Sequence, residues 1–127
     1  MVDYPQHLAI VTVLRHLHDP GWHFERFYTV AVGPLPYWGF YLPAWLLSWA
    51  FPVETAGKLV LSLYAVALPL SLASLLGVFG RDRRLAIVAI PLIYTFNLFM
   101  GFLSFLCALP LMLWAIAAAE RWLSAPE

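Results

Sequence analysis

Charged side chains leave two long gaps in the chain. From Leu59 to Phe79 there are 21 residues without one, about 31 Å as a helix at ~1.5 Å per residue. That length matches a hydrocarbon core of ~30 Å and predicts a transmembrane helix. Pro52, Val53 and Glu54 suit its first turn, Arg81 to Arg84 close it, and Pro69 falls near mid-span. From Leu85 to Ala119 another 35 residues carry no charge. One helix of roughly 52 Å would overshoot the core, so a hairpin is expected, with its turn at Asn97 and Gly101. The first arm is short for a full crossing, which leaves a re-entrant pair as the alternative. Pro91 and Pro110 place a bend in each arm. Residues 54 to 122 are therefore expected to lie in lipid.

The first 53 residues read differently. Tyr4, Leu8, Val11, Leu14 and Leu17 recur at helical spacing, predicting a helix from Tyr4 to His18. Asp3 stands at its N-cap, with Gln6 as a capping-box partner. Asp19-Pro20-Gly21 stops it, and a looser stretch runs from Trp22 to Val32. After a break at Gly33-Pro34-Leu35-Pro36, Tyr37 to Phe51 forms an apolar run with Trp38, Tyr41, Trp45 and Trp49. Its 15 residues are short for a span, and Trp and Tyr favour the headgroup level. A helix lying in or dipping into the outer interface is expected. The fold class is thus all-α: about three membrane segments, the last two a hairpin, plus two outer juxtamembrane helices. Two regions follow, 1–53 as an extracytoplasmic loop and 54–127 as the transmembrane region with a basic cytoplasmic loop at 81–84.

Composition agrees. The chain is 63% hydrophobic, 17% aromatic and 11% charged. A soluble domain of this size carries about 25% charged residues and could not hide so much apolar surface. A formal net charge of zero and the lack of a basic stripe exclude nucleic acid as a partner. Cys107 stands alone, so no internal disulfide is available. The opening residues show no signal peptide. Arg81, Arg83 and Arg84 act as topology determinants, because cytoplasmic loops collect arginine and lysine. With a hairpin at 85–119, Arg121 returns to the same inner side, and residues 1–53 and Asn97 fall outside. An outward start without a signal leads to the expectation of a helix before Met1 and further helices after Glu127.

Asp3-Tyr4-Pro5-Gln6-His7-Leu8-Ala9, Gly33-Pro34-Leu35-Pro36-Tyr37-Trp38 and Arg81-Asp82-Arg83-Arg84, in that order, resemble the N-terminal part of the GT-C class of membrane glycosyltransferases. The class includes protein O-mannosyltransferases and aminoarabinose transferases. The resemblance covers most of the chain through short, degenerate motifs. Many members carry two neighbouring acids where Asp3 is followed by Tyr4, and some carry an acid where this chain has Asn97. The resemblance implies an inverting transfer of sugar from a polyprenyl-phosphate carrier to an acceptor at the outer face of a bacterial inner membrane. It implies Asp3 as the general base that takes the acceptor's proton. His7, Arg15, Arg26 and Asn97 are weaker candidates for substrate contact, and Arg15, Arg26 and Lys58 are possible helpers for the leaving phosphate. Membrane lipid, the lipid-linked donor and the remaining helices of a longer chain are the implied partners. No cofactor is certain, and a divalent metal is left open.

Plainer readings stand beside these. Asp3 can be an N-cap alone, and His7 a solvated interfacial histidine or a hydrogen-bond partner of Asp3. His16 and His18 diverge on a helix, which argues against a metal pair. The tryptophans suit a membrane belt better than a sugar platform. Glu54 and Lys58 are spaced for a helix ion pair, Asn97 for turn chemistry and Gly101 for close packing. A non-catalytic membrane assembly or anchoring protein is the main alternative. A transporter subunit is disfavoured, because the spans hold no ionisable group apart from Cys107 and the tyrosines.

Overall fold

The computed structural model describes residues 1–31 and 38–124. The Gly33–Pro36 break, the start of the aromatic segment at Tyr37, and Glu127 lie outside the described residues. Among the described residues six α-helices follow in order: α1 Tyr4–Arg15, α2 Trp38–Ser48, α3 Val53–Val78, α4 Ala89–Ile93, α5 Phe96–Met100 and α6 Leu103–Leu123. Short 3-10 turns cover Phe24–Arg26 and Arg83–Val88, and no strand occurs among the described residues.

Among the described residues three stretches are long and apolar enough to cross a membrane: Val53–Val78, Arg83–Met100 and Leu103–Leu123, with mean hydropathies of 2.2, 1.3 and 1.8. The chain is multi-pass. α3 runs from one end of the bundle to the other, residues 83–100 return, and α6 again runs parallel to α3. α3 buries Val60, Tyr64, Leu68 and Ser71 at spacings of four, four and three, a single stripe. α6 answers with Leu103, Leu106, Pro110 and Ala117. Between membrane helices there is no water to expel, so close packing must hold the contact. Ala86, Ala89 and Ile93 of the returning stretch are buried, while Leu85, Ile87, Val88, Ile90 and Leu92 face outward. That is the pattern of a bundle solvated by acyl chains.

The hairpin expected at 85–119 is present, with its turn at Gly101, where φ is +100°. Its first arm is segmented. The chain breaks at Tyr94, with ψ 57°, and Thr95 is extended, separating α4 from α5. Pro91 stands in the first turn of α4, where an N–H has no partner within the helix in any case, so the break falls after it, at Tyr94. α6 continues through Pro110, and α3 through Pro69, without a break.

α2 buries Phe40, Ala44 and Ser48 at i, i+4 and i+8, against α1, α3 and α6. At eleven residues it reaches about 16 Å, half a bilayer. It is wedged into the bundle, and Leu42, Leu46 and Trp49 are left on its outer face. Gly39 makes the wedge possible. A Cβ there would stand 2.8 Å from the backbone oxygen of Ser104. α1 stops at Arg15, earlier than the pattern of apolar residues suggests. The Asp19 carboxylate accepts from Gly21 N–H at 2.9 Å and pairs with His16 at 3.2 Å, tightening the turn that follows. Those two contacts hold the Asp19 carboxyl below the usual range, the backbone N–H contributing most.

Candidate functional site

α1 lies across the end of the bundle where α3 and α6 begin. Tyr4 packs on Gly57 of α3, where a Cβ would meet the phenol oxygen at 2.6 Å and Leu8 Cδ2 at 2.7 Å. Only glycine leaves room for α1 this close. The Tyr4 hydroxyl is buried without a hydrogen-bond partner. Burial, with a smaller contribution from the Glu54 carboxylate, raises the Tyr4 pKa above its ordinary value.

His7, one turn on, ties three elements together. Its Nε2 lies 2.7 Å from the Gly101 carbonyl and its Nδ1 2.6 Å from the Tyr41 hydroxyl. A carbonyl can only accept, so in the neutral imidazole Nε2 carries the proton and Tyr41 donates to Nδ1. The ring meets Phe40 edge-on at 5.7 Å. α1, α2 and the α5–α6 turn are therefore joined through one side chain. Val2 N–H donates to Phe99 O at 2.9 Å, and Gly101 N–H donates to Asn97 O at 3.0 Å, completing the clasp.

Asp3 occupies the N-cap position without performing the cap. Its carbonyl accepts the first helical bond from His7 N–H at 3.1 Å, yet its side chain accepts nothing. Two causes are visible. The backbone at φ −95°, ψ 3° is outside the extended region that turns a cap side chain onto the helix. Pro5, at N2, has no N–H to give. The Asp3 backbone and Cβ instead rest on Gly101, where a Cβ would meet Asp3 Cβ at 2.9 Å. The carboxylate is left exposed at the rim of the bundle.

Asp3, His7 and Asn97 are thus brought to one end. Arg15 is twelve residues along α1 from Asp3, about 18 Å away, and lines a recess with His18, Trp45 and Trp49. Arg26 is exposed in the 3-10 turn beyond it. Lys58 is the cation on the first turns of α3, beside Gly57. It makes no ion pair with Glu54, since the bridges within 4.0 Å among the described residues are His16–Asp19 and His18–Glu25. Arg81, Arg83 and Arg84 are exposed at the opposite end. Among the described residues no three His, Cys, Asp or Glu side chains are placed to hold a metal ion. Tyr41 and Gly57 are the site residues that the charge and motif pattern did not single out. One was hidden in an aromatic run and the other beside a lysine.

A half-open apolar groove of about 240 Å³ lies deeper, between α2, α3 and α6. Gly39, Tyr64, Cys107, Pro110 and Trp114 contribute to its walls. Among the described residues no carboxylate or imidazole lines it. No family model, curated protein or solved structure matches this chain.

Proposed function

We propose that the chain serves in an integral-membrane glycosyltransferase of the GT-C type, with Asp3 as the general base. The observation that supports this is the Asp3 carboxylate itself, exposed and without a cap bond over the Gly101 turn. A helix-start aspartate that caps nothing is free to accept a proton. In the reaction, an acceptor oxygen attacks the anomeric carbon of a polyprenyl-phosphate-linked sugar. The acceptor's O–H proton passes to the Asp3 carboxylate, the new glycosidic C–O bond forms, and the bond to the lipid phosphate breaks with its electron pair on that phosphate. Arg15 is too distant from Asp3 to compensate this charge, whereas Lys58 sits at the same end. The Asp3 end faces outward and the arginine loop faces the cytoplasm of a bacterial cell.

The test is sugar transfer from a polyprenyl-phosphate donor in membranes carrying the protein expressed from its own reading frame. Asp3→Asn keeps size and shape and removes the base, so the rate should drop about 10²–10⁴-fold at unchanged protein level. A fully active Asp3→Asn protein would remove Asp3 from the mechanism. Impermeant thiol labelling of Asp82→Cys in intact cells checks the orientation. Ready labelling from outside would place Asp3 on the wrong side.

A further inference from the structure

The end of the bundle opposite Asp3 holds its own construction. α3 finishes in a glycine-stopped turn. Gly80 adopts φ +65°, and Arg81 N–H donates back to Leu76 O at 2.8 Å. The following arginines are arranged by that turn. Arg83 folds back over Gly77, so closely that a Cβ at position 77 would stand 2.5 Å from its Nε and 3.0 Å from Cζ. It rests at the negative end of the α3 dipole and is held there without a carboxylate. Asp82, the one acid in the loop, has its carboxylate occupied by Arg84 N–H at 2.9 Å. None of the three guanidinium groups has a carboxylate within 4.0 Å among the described residues. Phe79 and Leu85 flank them, and Trp122 and Leu123 end α6 on the same side, all exposed. Arginines at the boundary of an apolar rim meet a membrane where its phosphates lie.

The geometry points to a binding site for the phosphate of an anionic phospholipid, built by Arg81, Arg83 and Arg84 where α3 ends. Arg83 is the fixed member, set by the bare backbone of Gly77, and Arg81 and Arg84 are the arms. Planar guanidinium groups suit phosphate oxygens through paired N–H donors. This goes beyond orienting the chain. A topology signal needs only charge, whereas this site also needs Gly77.

Purified protein in neutral micelles, incubated with equal amounts of phosphatidylglycerol and phosphatidylcholine, is read by native mass spectrometry for retained lipid. Wild type should retain phosphatidylglycerol with about tenfold preference, and the Arg81→Gln/Arg84→Gln double variant should fall below about twofold. Gly77→Ala leaves every charge in place and improves helix propensity, while the flexible tip of Arg83 swings aside. Its preference should drop about threefold or more, with helix content by circular dichroism unchanged. Equal retention of the two lipids by wild type would overturn the site. So would wild-type preference in Gly77→Ala, which would leave only diffuse charge. Displacement of the lipid by excess inorganic phosphate would reassign the arginines to a free anion.

Discussion

Removing the His7 ring should loosen the whole Asp3 end, and the size of the effect can be worked from its contacts. His7→Ala deletes the bond to Tyr41 at 2.6 Å and the bond to Gly101 O at 2.7 Å. Each hydrogen bond contributes about 1 kcal/mol net, and a buried acceptor left unpaired costs about 1–3 kcal/mol. Gly101 is buried, but its carbonyl also accepts from Leu103 N–H at 2.7 Å, so it is not left unpaired and the smaller figure applies. Loss of the edge contact with Phe40 adds about 0.5–1.5 kcal/mol. The sum is a destabilisation of about 2.5–3.5 kcal/mol, large for a residue that is only half-buried. The assay is reversible unfolding in micelles, run as a double-mutant cycle with Tyr41→Phe. The Tyr41 hydroxyl donates to Nδ1, so the two changes should be non-additive by about 1 kcal/mol. A His7→Ala loss below about 0.5 kcal/mol, or strict additivity, would refute the clasp. His7→Gln is the internal control: its amide can reach only one of the two partners well and should fall between.

Three further outcomes follow from α1 and the residues around it. Gly57→Ala drives a methyl into the Tyr4 hydroxyl and Leu8, both on α1, and should cost about 1–3 kcal/mol in the same unfolding assay. Adding Tyr4→Phe should recover part of it, because that hydroxyl is buried without a partner and its removal is close to neutral. Tyr4 should ionise later than a free phenol in a difference-absorbance titration against Tyr4→Phe, and Glu54→Gln should reduce the lag only partly, since burial is the main cause. The sign is fixed: with its folded value raised, Tyr4 ionises first in the unfolded chain, so its ionisation erodes stability only as pH rises above the unfolded value of about 10. Asp19 works in the other direction. Its lowered folded value gives stability that is present above the unfolded value of about 3.9 and is lost as pH falls through the folded one. Asp19→Asn should flatten that acid limb in pH-dependent unfolding.

What could be read from the residues, and what could not, divides along a physical line. The spans depend on additive quantities, the length of a charge-free run and the reach of a helix, and those are written locally in Leu59–Phe79 and Leu85–Ala119. The stop after α1 and the turn at Gly101 are local as well, being properties of Asp19-Pro20-Gly21 and of one glycine. The segmented first arm is less so: Pro91 announces a bend, but the break at Tyr94 and Thr95 depends on Ala89 and Ile93 seating against α3. The clasp depends on distance in space. His7 and Gly101 are separated by 94 residues and His7 and Tyr41 by 34, and neither pair has a spacing that periodicity can detect. The readings that miss are those in which a local rule met a tertiary contact. Asp3 has the residue type of a cap, but its backbone is held against Gly101 and its helix carries Pro5. Glu54 and Lys58 have the spacing of an ion pair, but Glu54 acts on Tyr4 of α1. Histidine at position 7 suggests solvent, yet both ring nitrogens are engaged in joining helices. In each case the neighbour that overrides the local rule belongs to α1, to α2 or to the α5–α6 turn. The same packing that takes Asp3 away from capping is what leaves its carboxylate exposed.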